Sequence, residues 1–281
     1  MSIIIIFLTI FIFGINISAG QNTPQREGAD YLIITNHIFT DNLEPLISLR
    51  ENCGLSVRVV EDTTIYSTYP GEDSCDAIKS FILDVYNNWD PLPTFILFVG
   101  DANEDGGSNN YIPSKIFPKF SYYYSGGCQT HCSDNWYVEL EGDDYVPELI
   151  TGRFPVESTE ELDLLIQKTI EYELSTIKID TVMVVMSQEF ESGSQSVFNA
   201  LPASSNPVKL YGSQVSGTQC NSSIKSTYEN GLDLVFGLCH GSLNRTWSGV
   251  FGSSSNAVVF RVSDFSGLPS EGVAPILFEW G

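Results

Sequence analysis

Three histidines, His37, His131 and His240, are the residues of this 281-residue sequence whose ordinary titration range suits proton transfer near neutral pH. Only His240 combines the end of an apolar, strand-like run, Leu232 to Leu238, with a following glycine, in Cys239-His240-Gly241-Ser242. In an open parallel sheet the carboxyl ends of strands are where ligands and reacting groups gather. A general base there would activate a thiol or hydroxyl. The bland reading of the same context is a surface imidazole on a turn. Cys239 is adjacent, but neighbours on a strand point to opposite faces, so a Cys239–His240 dyad is geometrically poor and Cys239 reads as a core or disulfide residue. Ser242 lies only two positions from His240 and in no Gly-x-Ser-x-Gly elbow, which argues against a serine hydrolase.

Two acids also follow strand-like runs: Asp101 after Thr94 to Val99, and Glu189 after Thr181 to Met186. Asp101, Asn103, Asp105 and Gly106 match the first half of an EF-hand loop, but Ile112 stands where a bidentate glutamate is required, so an EF-hand is rejected. Calcium on a different acidic loop, drawing on Asp101, Glu141, Asp143 and Asp144, competes with a solvated acidic surface. Cys128-Gln-Thr-His131-Cys132 could be a metal knuckle or, without a fourth ligand, a loop disulfide.

Positioning these groups requires alternating strands and helices, the pattern of a mostly parallel sheet flanked by helices. Tyr31 to Thr35 and Leu55 to Val60 read as strands around a helix that carries Leu43, Leu46 and Ile47 and is capped by Asp41. Ile78, Phe81, Ile82 and Val85 follow helical spacing before the strand Thr94 to Val99. The stretch from Asn103 to Glu148 reads as loops, and between 101 and 150 nine acids face two lysines. Strand text returns at Leu149 to Phe154, then a helix with Ser158 and Glu161 as a capping box. A second unit reads as strands at Thr181 to Met186, Val208 to Tyr211, Leu232 to Leu238 and Ala274 to Phe278, with helix near Ile224 to Tyr228. Two tandem α/β subdomains result, at residues 21–176 and 177–281.

The formal net charge of −22 excludes nucleic acid as a partner, because binding a phosphate backbone requires a basic surface. With 42% hydrophobic residues and 17% charged, the chain has ample material for a packed core. Residues 1–20 read as a signal peptide: an apolar run from Ile3 to Ile17, then Ser18-Ala19-Gly20. That run is too short to span a bilayer comfortably, so a secreted chain beginning near Gln21, without stable membrane insertion, is expected. Six cysteines then suggest disulfides whose pairing the sequence does not choose, and Asn221 and Asn244 open N-glycosylation triplets.

Several segments together resemble the catalytic domain of the gingipain family of cysteine peptidases. They are Phe95 to Asp101, Ser133-Asp-Asn-Trp-Tyr137, Leu140 to Asp144, Pro147 to Pro155, Lys168 to Glu173, His240-Gly-Ser242 with Trp247, and Pro275 to Glu279. The resemblance implies a caspase-like α/β fold and hydrolysis of protein or peptide substrates through a thiol acyl-enzyme. It makes His240 the catalytic histidine and Glu189 the acid that orients it. The Gly241 amide would help hold the oxyanion, and structural calcium would sit near Asp101 and Asp143. In the family the strand matching Pro275 to Gly281 is followed at once by the nucleophilic cysteine. The sequence stops there, so the expectation is a chain without its nucleophile and with an incomplete second subdomain. The alternative is a non-catalytic secreted binding protein on a degenerate peptidase scaffold.

Overall fold

Runs of Val, Ile, Leu and Phe as continuous as Phe95–Val99 suit strands covered on both faces, and both sheets that matter here are parallel. The computed structural model describes residues 26–103, 109–118, 130–142, 144–175, 180–201, 203, 205–242, 245–268 and 276–280. The chain divides into two compact units, Met1–Thr159 and Glu160–Gly281. The second therefore opens with a helix, whereas the sequence pattern divides the chain at 176.

In the first unit a two-residue strand β1 (Arg26–Glu27) precedes β2 (Tyr31–Thr35), α1 (Glu44–Asn52), β3 (Val57–Glu61), α2 (Asp62–Thr68) and α3 (Ser74–Asn88). Then come β4 (Trp89–Asp90), which pairs with β1, β5 (Phe95–Val99), an antiparallel pair β6 (Lys115–Pro118) and β7 (Thr130–Ser133), and β8 (Ile150–Phe154). The main sheet has the order β3-β2-β5-β8, all parallel, with carboxyl ends level: Thr35 pairs with Glu61 and with Val99, and Val99 with Phe154. Helix α3 starts where the Asp73 side chain accepts the Asp76 amide at 2.8 Å, a cap worth about 1 kcal/mol. It buries Ala77, Ile78, Phe81, Ile82 and Val85 against Leu32, Ile34 and Phe98 of the sheet. Asp41 is not a cap. It lies inside a 3₁₀ segment, His37–Leu43, because Asn36 at the strand end captures the Ile38 amide first.

The second unit contains α4 (Thr159–Leu174), β9 (Thr181–Met186), α5 (Ser194–Ala200), β10 (Asn206–Tyr211), α6 (Gly217–Glu229) and β11 (Leu234–Leu238). Three further strands follow, β12 (His240–Ser242), β13 (Arg245–Phe251) and β14 (Ser254–Arg261), and the last is β15 (Ile276–Trp280). Its main sheet is β10-β9-β11-β15, again parallel, with Met186 level with Tyr211 and Leu238, and Leu238 level with Trp280. One face is covered by α6, whose Cys220 and Ile224 join Met183, Val185, Val235 and Cys239 in a buried cluster. Strands β12, β13 and β14 form a separate antiparallel sheet that sequence reading did not anticipate.

The acceptor Asn221 sits on α6 with its amide nitrogen committed to the carbonyl of Val259 at 2.8 Å and to Asp264 at 3.1 Å, so a glycan there, which replaces one of the two N–H groups, would cost at least one of these bonds. Asn244, Cys128 and residues 1–25 lie outside the described residues. Among the described residues no helix is long and apolar enough to cross a membrane.

Candidate active site

Adjacent parallel strands bring their carboxyl-terminal residues within side-chain reach, and β9 and β11 are such a pair. The amide of Ser187 extends the pairing by one bond, donating to the Leu238 carbonyl at 3.1 Å. The chain after β9 then enters a 3₁₀ turn, Gln188–Gly193, carrying Glu189 and Phe190, while the chain after β11 leaves the sheet as β12, which begins with His240. His240 Nε2 stands 3.2 Å from Glu189 Oε1, with the two side chains 48% and 30% exposed. The pair is thus solvent-accessible on one side and backed by protein on the other. The Phe190 ring lies 5.1 Å from the imidazole, tilted by 57°.

Both members of the pair are held by β13. Glu189 uses its second oxygen, Oε2, to accept the Val250 amide at 3.2 Å. The Ser248 hydroxyl donates to the His240 carbonyl at 2.8 Å, and Ser248 is the pairing partner of His240 in the antiparallel ladder. Gly249 between them has φ +152° and leaves no room for a side chain. A Cβ there would fall 2.5 Å from Ser187 Cβ and 3.0 Å from Glu189 Oε1. The neighbouring Trp247 is buried under β11, so close that a Cβ on Gly237 would come within 2.5 Å of its indole nitrogen. Residue type does not single out Ser248, Gly249, Val250 or Phe190 in the sequence. For the first three the signal is a glycine interrupting a strand-like run, Trp247-Ser-Gly-Val-Phe251, which marks close backbone approach.

Cys239 is 1% exposed on the opposite face and donates weakly to the Val185 carbonyl at 3.9 Å, away from the imidazole. Gly241 follows His240 on β12 and is exposed. Of the metal candidates, Asp101 lies at the end of β5, its amide bonded to the Val156 carbonyl at 2.9 Å, and Asp143 is outside the described residues. Among the described residues no three His, Cys, Asp or Glu side chains converge to hold a metal.

Two of the first unit's family-like segments turn out to be scaffold. Arg153 forks onto both oxygens of Asp134 at 2.7 Å and also donates to the carbonyls of Gly100 and Ile112 at 2.7 Å. It thereby ties the Ser133–Tyr137 segment and the loop after β5 to strand β8.

The model of peptidase family C25 matches residues 24–281. Gingipain R2 of Porphyromonas gingivalis is 28% identical over 162 residues, which is 56% of this chain and 19% of that protein. Lys-gingipain of the same organism is 25% identical over 183 residues, 62% of this chain and 9% of its own length. Among solved structures, the crystal structure of the Arg-specific cysteine proteinase gingipain R is similar with a TM-score of 0.66 at 21% identity, over 91% of this chain and 55% of that one. The chain thus spans about half of the solved relative and a much smaller share of the curated ones.

Proposed function

The chain belongs to peptidase family C25, with a caspase-like α/β fold, and we propose that it supplies the acid–base half of a secreted cysteine endopeptidase acting on proteins or peptides. The observation that carries this reading is the Glu189–His240 pair at the ends of neighbouring parallel strands. Strand β15 runs beside β11 in a register that sets Trp280 level with Leu238. Extended by two residues, that register would set the position following Gly281 on a continuing chain level with His240. A cysteine at that position would present its thiol to the imidazole.

Each residue then has a definite task. Glu189 holds Nε2, leaving Nδ1 as the nitrogen that takes the thiol proton. The thiolate attacks the peptide carbonyl, His240 returns the proton to the departing amine, and water hydrolyses the thioester with His240 again as base. The Gly241 amide and the amide of the nucleophile would hold the oxyanion. Cys239 is excluded as nucleophile by its burial on the far face.

The test is expression of the chain continued past Gly281 with either Cys or Ser at the next position, assayed on a library of fluorogenic peptides. Turnover with Cys and none with Ser supports the reading. Peptide binding without turnover in the Cys form would instead support a non-catalytic binding protein. Secretion is supported by the Ile3–Ile17 run and its small-residue flank; N-terminal sequencing of exported material should begin at Gln21. Structural calcium, supported by the acids from Asp101 to Glu148, should raise the melting temperature reversibly and lose that effect to a chelator.

A further inference from the structure

The two main sheets share one topology. Numbering the strands of each sheet in chain order, both read 2-1-3-4, and in each the first strand is followed by a 3₁₀ segment and then an α-helix. The point where such an order reverses lies between the first and third strands, and there an open α/β sheet leaves a crevice at its carboxyl ends. In the second unit that point holds Glu189 and His240. In the first unit it holds a cavity of about 540 Å³ lined by Asn36, Asp62, Tyr66, Asn103, Asn110 and Tyr111, among others. Its size is that of a small-molecule site, for which about 300–1,000 Å³ is usual.

The wall of this cavity contains one buried charge. Asp62 is 4% exposed, and its carboxylate accepts from Asn36 Nδ2 at 3.0 Å and from the Thr63 amide at 2.8 Å, both neutral donors. Lys115 also lines the cavity but is paired with Asp76 at 2.7 Å and with Asp73, another lining residue, at 3.4 Å, and Arg153 is committed to Asp134. The exposed imidazole of His37 acts on Asp62 from a distance. Burial holds the Asp62 carboxyl above the usual carboxylate range, as expected of a charge without a counter-ion. The rim is rigid on one side, since Tyr111 bonds the Glu157 carbonyl at 3.1 Å and packs edge-on against Phe39. Gly100, at φ +132°, lets Tyr111 approach the strand end where a Cβ would sit 2.7 Å from it.

We propose that the first unit binds a small organic cation, an alkylammonium or alkylguanidinium group, in this crevice, with the Asp62 carboxylate as its counter-ion. A bare metal ion fits less well. The space is many times an ion's volume, and among the described residues no three ligating side chains converge.

The test is titration of the full chain with butylammonium or butylguanidinium chloride at constant ionic strength, followed by calorimetry and by amide chemical shifts. Saturable binding is expected, with shifts at residues 36, 62, 103 and 110. Asp62→Asn should weaken it at least about tenfold, while Asp264→Asn, which removes an equal charge from the second unit, should leave it unchanged. Should Asp62→Asn fail to fold, the shift map of the parent decides alone, and shifts confined to other residues overturn the proposal. It is equally overturned by non-saturating shifts, by equal affinity in Asp62→Asn, or by calcium chloride displacing the amine from these four residues.

Discussion

The two units use the same strand order to opposite ends. Each offers a crevice between its first and third strands, and in each the strand ends are aligned to the residue, Thr35 with Val99 and Met186 with Leu238. Counting onward, Asp101 in the first unit stands two residues past its strand as His240 does in the second. What separates them is the chain that leaves the third strand. After β11 it turns into β12 and pairs with β13, whose backbone and hydroxyl clamp the imidazole and the carboxylate together. After β5 it enters a loop pinned by Arg153 and returns as the antiparallel pair β6–β7, whose Lys115, Ile116 and Cys132 line the crevice without, among the described residues, holding a carboxylate against an imidazole. Shared topology thus provides a place, and the clamp from β13 turns one of the two places into an acid–base pair.

If that contrast is right, the largest effect follows from removing the base. In the chain continued with a cysteine after Gly281, His240→Ala should lower kcat/KM by about 10³-fold or more with the melting temperature unchanged. Glu189→Gln should cost about 10- to 100-fold, because the imidazole keeps its place but loses its anionic partner. Equal losses in the two variants would mean that Glu189 does more than orient, and a loss below tenfold in His240→Ala would move the base elsewhere.

The clamp itself is tested at Gly249. Gly249→Ala combines a backbone angle that side chains avoid with a clash against Ser187, and should destabilise the fold by about 2 kcal/mol or more and displace Glu189. Gly152 on β8 of the first unit has open space around its Cβ position, and Gly152→Ala should be neutral within about 0.5 kcal/mol. Denaturant melts of the two variants decide. A neutral Gly249→Ala would remove β13 from the account of how the pair is held.

These positions also show what sequence could reveal. Continuous apolar runs such as Phe95–Val99 and Thr181–Met186 announced buried parallel strands, and His240 with Glu189 followed from strand ends plus a family pattern. Val250 acts through its backbone amide, Gly249 through the absence of a side chain and Ser248 through a hydroxyl on the His240 carbonyl, and in the sequence only the glycine that interrupts a strand-like run marks them. The strands β13 and β14 were missed because serine and glycine at 248, 249, 254 and 255 dilute their alternation. The Asp62 crevice was invisible for a different reason. Its lining combines Asn36, Asp62 with Tyr66 of α2, and Tyr111, which come from three separate segments and meet only in the fold.

A scaffold comparison gives a smaller effect than the clamp's influence on catalysis, yet sharpens the first unit's role. Arg153→Ala would leave the partly buried Asp134 with the Ser114 hydroxyl in place of its guanidinium partner and take the arginine donor from two carbonyls, at a cost of about 1–3 kcal/mol. Arg153→Lys should recover little of it, since an ammonium cannot serve both carboxylate oxygens in a fork. Urea melts of both variants measure this. Full recovery by lysine would mean that charge alone, and not the forked geometry, ties the loop after β5 to β8.

The smallest effect distinguishes the units by the sign of their acid response. Asp264 in the second unit is held below the usual carboxylate range by its bond to Lys225, helped by the Arg261 amide and Asn221. A lowered carboxyl adds stability that is present at neutral pH and disappears as pH falls through its folded-state titration. Asp62 in the first unit is raised by burial, so its ionised form opposes folding at neutral pH and that opposition is relieved on acidification. Melting curves between about pH 7 and pH 3 should therefore show a shallower acid loss for Asp264→Asn than for the parent, by less than about 1 kcal/mol for a partly solvent-screened pair. For Asp62→Asn the acid loss should be steeper than in the parent, because a compensating gain has been removed. Slopes changed in the same direction by both substitutions would show that Asp62 carries no uncompensated charge, and with it would go the electrostatic reason for a cation in the first crevice.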